Sequence, residues 1–367
     1  MHKPRIALVH DYLREYGGAE RVLEALHEMY PEAPVYTAFF DAESLGIHAS
    51  RFAGWDIRQT EMIKLPWYKM LHSPYRIFAP YFFKKLDFSS FDCVISSTNA
   101  YYAKAVRVPN GTHICYCHTP PRALYGYATM SDWKKNPIIR ILGEISNHFL
   151  RIADFNIAQK VDHFIANSQE TAGRIQKFYR RTSIVIYPPV IIPATPPKNT
   201  ERSYFLYVNR LALSKHPELA VAVCTEHNYP LVVVGEGKMR AELEAQAGET
   251  ISFMGGVSDE VLDALYTGAK ALIYPVEDED FGIVPVEALG HGVPVIAHNS
   301  GGPRETIIEG KTGFLFDELT PTALNSALKK CTDHTISPHT LYEAAQHYST
   351  SVFKKKIAAF LRSVIGE

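Results

Sequence analysis

ALIYPVEDEDFGIVPVEALGHGVPVIA, residues 271–297, decides the fold. Ala271–Tyr274 is a short apolar run, the pattern of a strand covered on both faces. A polar loop follows, then a helical stretch over Val284–Gly290, then a second apolar run, Pro294–Ala297. Two strands joined through a helix lie parallel, because the crossover returns the chain to the same end of the sheet.

The alternation extends outward in both directions. Downstream lies a strand at Gly313–Phe316; upstream lie strands at Tyr204–Val208, Leu231–Val234 and Ile251–Phe253. Helices over Ser214–Glu226, Lys238–Ala247 and Ser258–Gly268 separate them. The N-terminal half repeats the scheme, with strands at Arg5–Val9, Cys93–Ser96, His113–Cys117, His163–Ala166 and Ile184–Tyr187. A helix from Ala19 to about Tyr30 carries Val22, Leu23, Leu26 and Met29 on one face. The fold class is therefore α/β, with two doubly wound halves.

Between the halves runs YPPVIIPATPPKNTER (187–202), whose five prolines favour an extended linker. The boundary is set there, giving domains 1–193 and 194–350. A final helix, about 351–367, is expected to leave the second half and pack back on the first. Two such domains facing each other leave a cleft, and ligands of these sheets bind at the carboxyl ends of the strands.

The chain has 367 residues, enough for two domains of ordinary size, and 46% of them are apolar, which excludes disorder and fibres. Net charge is −1, so a global nucleic-acid footprint is absent. That balance hides an asymmetry: residues 1–193 carry net +6 and 194–367 net −7. The first half is drawn to anionic surfaces and the second is not. Five cysteines (Cys93, Cys115, Cys117, Cys224, Cys331) without a C-x-x-C read as reduced thiols of a cytosolic protein. The N-terminal MHKPRIALVHDYL is too short in apolar residues for a signal peptide, and no 18-residue apolar run spans a membrane.

Two loops of the second half carry ligand chemistry. Glu279 precedes the helix opened by Phe281-Gly282-Ile283, and Glu287 lies inside it. Free amides and the positive dipole end at such a terminus suit a phosphate or sugar hydroxyls, and two carboxylates at this spacing suit two polyol parts of one ligand. In YVNRLALSKHPELAVAV (207–223), Asn209-Arg210 follow a strand and Lys215 starts the next helix. An arginine fork and a lysine point charge across one loop suit a diphosphate; the bland alternative is a solvated basic pair. In the first half, Gly17-Gly18 is a turn or a place of close backbone approach.

These segments resemble glycosyltransferase family 4. VNRLALSK is similar to that family's G-R-L-x-x-x-K segment, and EDFGIVPVEALGHGVPVIA to its E-x7-E motif. SGGPRETI (300–307), GKTGFLF (310–316), HDYLREYGGAERVLEAL (10–26), CYCHTPPRALY (115–125) and DHFIANSQETAGRIQKFY with IVIYPPV (162–190) follow the family in order. The details look closest to the bacterial mannosyltransferase branch that builds O-antigens and exopolysaccharides.

The resemblance implies a GT-B fold, a nucleotide-sugar donor in the C-terminal domain, retention of anomeric configuration and no required metal or cofactor. It implies that Arg210 and Lys215 hold the donor diphosphate, Glu279 the sugar hydroxyls and Glu287 the ribose. The amides of Phe281, Gly282 and Ile283 would face the donor. Gly17 and Gly18 would approach the diphosphate, and His118 would contact and position the transferred sugar. Asn209 and Gly235 would border the nucleotide, and the base would lie near Phe253-Met254-Gly255. Three residues depart from the pattern: Asp280 stands where a glycine is frequent, Ile191 replaces an aspartate and Asn209 a glycine. The carboxylate run 277–280 is read as a polar loop, not a metal site.

Segment 61–85 interleaves five basic residues (Lys64, Lys69, Arg76, Lys84, Lys85) with seven aromatics (Trp67, Tyr68, Tyr75, Phe78, Tyr81, Phe82, Phe83). That mixture favours an anionic bilayer surface; the alternative is aromatics in the core and a solvated basic rim. The expectation is a retaining hexosyltransferase, cytoplasmic and peripheral to the inner face of the cell membrane. Mannose would pass from GDP-mannose to a lipid-linked or polysaccharide glycan. A UDP-sugar-dependent transferase and a nucleotide-sugar-binding pseudoenzyme are the rivals. Nucleic acid is not an expected partner, and oligomeric state is left open.

Overall fold

The computed structural model describes residues 4–100, 102–127, 137–197 and 201–366. Linker residues 198–200 and the last residue of the expected final helix lie outside that set. The described residues form two compact units. One holds everything up to Pro189 together with the chain from Thr350 onward; the other holds Val190–Ser349. The division falls four residues before the boundary read from the sequence, still inside the proline-rich stretch.

The first unit is built on a parallel sheet of order β3-β2-β1-β4-β5-β6-β7. Its strands are β1 (Ile6–His10), β2 (Val35–Thr37), β3 (Ile57–Gln59), β4 (Cys93–Thr98), β5 (Thr112–Cys117), β6 (His163–Ala166) and β7 (Ile184–Val185). β1 explains why the strands read as unbroken apolar runs. Ile6 and Leu8 enter one core, with Leu23 and Leu26 of the helix Gly18–Met29. Ala7 and Val9 enter a second core on the opposite face, with Phe83 and Phe88. Alternate side chains point to opposite faces, so a strand covered on both must be apolar throughout.

The C-terminal helix Thr350–Ile365 belongs to this unit. Phe353, Ile357 and Leu361, one turn apart on one face, are buried among Leu8, Ile95 and Tyr116. Lys354 pairs with Glu28 at 2.5 Å at its edge.

The second unit has a parallel sheet of order β10-β9-β8-β11-β12-β13. Its strands are β8 (Tyr204–Val208), β9 (Leu231–Val234), β10 (Ile251–Gly255), β11 (Ala269–Tyr274), β12 (Val295–His298) and β13 (Gly313–Phe316). In each sheet the chain order reverses beside the first strand, β1 or β8. Loops after those strands and their neighbours therefore gather at the switch point where doubly wound sheets bind ligands.

One expected helix start is corrected. Lys215 does not open the helix after β8; it ends a 3₁₀ turn, Leu213–Lys215. His216 then takes a left-handed conformation (φ 48°), and the helix begins at Pro217. Proline suits the first helical position, where its missing N–H costs nothing, and it biases the preceding residue away from helix.

Candidate functional site

In the second unit the loops after β8, β9, β11 and β12 converge on one cluster. Asn209 follows β8, and its side-chain oxygen accepts the Arg210 amide at 2.9 Å. Its own amide donates to the Val234 carbonyl at 3.1 Å, which stitches the loop to β9. Gly235 sits at φ 132°, and a Cβ there would fall 1.9 Å from the Asn209 carbonyl oxygen. Only glycine permits that approach. Arg210 is exposed on this loop. The carbonyl of Lys215 accepts a bond from Tyr207 Oη at 3.0 Å. Tyr207 is buried in β8, and burial pushes its hydroxyl far above the usual phenol range, so it stays a donor.

Lys215 Nζ lies 2.5 Å from Glu279 Oε2, with both side chains about one-sixth exposed. This bond links a residue expected to hold the diphosphate to one expected to hold the sugar. It joins positions 64 residues apart.

The loop carrying Glu279 is clamped from behind. The Glu279 carbonyl accepts the Gly302 amide at 2.8 Å. Ser300 Oγ accepts the Asp278 amide at 2.9 Å and is itself bonded to His298 Nδ1. A Cβ on Gly301 (φ 62°) would sit 2.2 Å from the Glu279 carbonyl, and one on Gly302 2.3 Å from Phe281 Cα. Phe281 and Gly282 are buried; Gly282, at φ 86°, caps the helix Ile283–Gly290. Glu287 lies in the middle of that helix, buried, and accepts a bond from Tyr266 Oη at 3.1 Å. Glu279 thus bonds a lysine and Glu287 a tyrosine. Phe253 and Met254 stand at the end of β10, where the Gly255 carbonyl accepts the Gly235 amide at 2.8 Å. Phe253 packs against the core and Met254 is exposed.

A second cluster lies in the first unit. His118 follows β5 directly, as the sequence indicates. Its amide donates to the Thr98 carbonyl and its carbonyl accepts from Thr171 Oγ1. Its Nε2 is 2.8 Å from Ser97 Oγ, which is 3.1 Å from His10 Nδ1; His10 Nε2 is 3.3 Å from Glu20 Oε1. Burial, aided by His10, pushes His118 down to about 3, so the ring is neutral at physiological pH. Gly17 caps the helix Gly18–Met29, and its amide donates to Glu20 Oε2 at 2.8 Å. A Cβ on Gly17 would meet only that oxygen, at an ordinary 3.5 Å, so the fold leaves room there. Asp11 is buried and accepts from Thr98 Oγ1 and from the amides of Asn99, Ala100 and Ala103, which fixes the loop after β4.

Ser300, Gly301, Gly302, Tyr266, His10, Ser97 and Glu20 escape a reading by spacing. Of these, His10, Glu20 and Ser300–Gly302 lie in segments that follow the family pattern, but none is singled out as a site residue. Among the described residues, no group of three or more His, Cys, Asp or Glu is disposed to hold a metal ion. No described helix is long and apolar enough to cross a membrane.

Comparison with known proteins gives a family match in the second unit and relatives of both. Residues 191–348 match the family model of glycosyl transferases group 1. The chain is 25% identical over 278 residues to the alpha-1,3/1,6-mannosyltransferase alg2 of Schizosaccharomyces pombe, covering 62% of this chain and 53% of that protein. It is 33% identical over 143 residues to a GDP-mannose-dependent alpha-mannosyltransferase of Mycolicibacterium smegmatis, covering 39% and 37%. It therefore spans about half or less of these curated relatives. Its fold is that of the lipopolysaccharide outer core galactosyltransferase WaaB (TM-score 0.70, 18% identity, 98% of this chain and 99% of that one). Residues 191–348 thus match the glycosyl transferases group 1 model, in a chain whose two parallel-sheet units share the fold of solved GT-B glycosyltransferase structures.

Proposed function

We propose that the protein is a retaining glycosyltransferase that moves mannose from GDP-mannose to a lipid-linked or polysaccharide acceptor glycan, without a required metal. The observation that carries this is the Lys215–Glu279 pair on a loop clamped by Ser300–Gly302, inside the stretch that matches the group 1 model. A donor entering there exchanges one ion pair for two better-matched contacts. The diphosphate takes Lys215 with Arg210, and the sugar hydroxyls take Glu279. Glu287, oriented by Tyr266, takes the ribose hydroxyls. The mannose assignment rests on the relatives named for that sugar.

The chemistry is then largely electrostatic. The bond from C1 to the diphosphate oxygen breaks as a bond from C1 to the acceptor oxygen forms on the same face. The acceptor proton passes to the leaving phosphate oxygen. Lys215 and Arg210 neutralise charge that grows on that oxygen, which is where fixed cations lower a barrier most. His118, neutral and buried, positions the sugar and is not the base.

The acceptor side is read as facing an anionic membrane. In segment 61–85, Phe83 is buried and Tyr68, Tyr75 and Phe82 lie against the core, but Trp67, Met70, Phe78 and Tyr81 are exposed. The helix Pro137–Ala158 adds Ile141, Ile145, Phe149 and Ile152, all exposed on one face. Apolar side chains amid lysines and arginines suit a headgroup layer.

Calorimetric binding of GDP, UDP and ADP without added metal tests the donor. Selective GDP binding is expected. UDP selectivity would discard mannose, and binding of none would overturn the transferase reading. Glu287→Ala and Tyr266→Phe should both weaken nucleotide binding, Glu287→Ala more strongly. Cosedimentation with anionic but not neutral vesicles checks the membrane side.

A further inference from the structure

We propose that Glu20, His10 and Ser97 form an ordered hydrogen-bond chain that fixes the tautomer of His118 and presents its Nδ1 as an acceptor to a hydroxyl of the transferred sugar. The proposal rests on the reading of His118 as the residue that meets that sugar.

The order follows from counting protons. Glu20 is the third residue of the helix capped by Gly17, and it accepts the Gly17 amide on Oε2. A carboxylate offers no proton, so the bond to His10 is made by His10 Nε2–H donating to Oε1. A His10 ring carrying that one proton has a bare Nδ1, which accepts the single hydroxyl proton of Ser97. Ser97 Oγ has only lone pairs left, so His118 must donate Nε2–H to it. Neutral imidazole carries one N–H, and His118 Nδ1 is therefore bare. All four side chains are buried, which keeps water from supplying an alternative partner to the chain. The same Glu20 carboxylate also bonds the Gly17 amide, so one group links the glycine turn to the histidine.

Glu20→Gln is close to isosteric and reverses every bond. Its amide oxygen still accepts from Gly17, but its NH₂ now donates to His10 Nε2. His10 becomes Nδ1–H, Ser97 donates to His118 Nε2, and His118 Nδ1 acquires the proton. The sugar-facing nitrogen changes from acceptor to donor without loss of a single hydrogen bond.

Nitrogen-15 NMR of ring-labelled histidine at pH 8.5 reads this directly. Wild-type His10 and His118 are expected as Nε2–H tautomers. In Glu20→Gln both should be Nδ1–H, and in Glu20→Gln with Ser97→Ala the effect on His118 should vanish. Circular dichroism monitors folding, and the wild-type spectrum is informative without any variant. Wild-type His118 protonated on Nδ1, or unmoved in folded Glu20→Gln, overturns the chain. Turnover with GDP-mannose should fall about tenfold to a hundredfold in Glu20→Gln, the cost of turning one buried acceptor into a donor. Affinity for GDP alone, which lacks the sugar, should hold. A reversed tautomer with unchanged turnover would leave the chain standing and overturn the sugar contact of His118.

Discussion

The polar clusters of the two units are held in opposite ways. In the first, His10, Ser97, His118 and Glu20 are buried and bonded side chain to side chain. In the second, Lys215 and Glu279 are partly exposed and charged, and backbone approaches at Gly235, Gly301 and Gly302 position their loops. A buried side-chain network specifies direction: which atom donates and which accepts. An ion pair about one-sixth exposed on a glycine-clamped loop specifies charge and place, and a charged ligand that reaches it can take over both partners. Under the proposed function, the contrast corresponds to a division of labour between orienting a sugar and neutralising a diphosphate.

The strongest way to break that contrast is Lys215→Ala. Removing one cation from the growing phosphate charge should cost about 2.7–4 kcal/mol of barrier, on the order of 10²–10³ in kcat. Steady-state kinetics with a folded variant checks it, and near-normal turnover would remove Lys215 from the diphosphate.

Next in size is Gly301→Ala. A methyl 2.2 Å from the Glu279 carbonyl, at φ 62°, must displace the loop. A loss of about 1–3 kcal/mol in stability, with weakened donor binding, is expected from chemical denaturation and calorimetry. Unchanged binding would mean that the clamp does not place Glu279.

The buried histidines give the first unit a pH signature. Burial pushes His118 down to about 3 and His113 down to about 4. Unfolded histidine titrates near 6.5. Between those values the unfolded chain binds more protons, so stability falls as pH drops below about 6.5 and is retained above it. The slope approaches about 1.4 kcal/mol per pH unit for each histidine. Unfolding midpoints from pH 7 to 5 should fall less steeply in a His113→Asn, His118→Asn variant. Equal slopes would show that neither ring is held neutral.

The smallest effect sharpens the comparison. Gly17→Ala should change stability by only about 0.5 kcal/mol or less, because nothing crowds that Cβ. If backbone approach to the donor is the reason for glycine there, donor affinity should nonetheless fall. A thermal melt beside a binding isotherm separates the two.

Much of the fold was legible in the sequence because parallel strands covered on both faces leave unbroken apolar runs. β1, β4, β8, β9, β11 and β13 stand where those runs do, to about two residues. β2 and β3 were not legible: three residues each, they are strands only by pairing with β1 and with each other. Within the candidate site, the loop positions of Asn209, Arg210, Glu279, Gly282 and His118 follow from strand and helix ends. Lys215 was misassigned to a helix because local pattern does not register the left-handed turn at His216.

By itself the sequence determined the alternation of strand and helix, the proline-rich division and the residue types at each strand end. These are local properties, written in hydrophobic period and in proline and glycine. Only the tertiary structure decided who meets whom. His10 and Ser97 are 87 residues apart, and Lys215 and Glu279 are 64 apart. Each pair is joined because sheet order makes β1 a neighbour of β4 and β8 a neighbour of β11. Hydrogen-bond direction and ion pairing depend on distances of about 3 Å between side chains. Pairing of strands distant in sequence sets those distances, and no spacing along the chain encodes them.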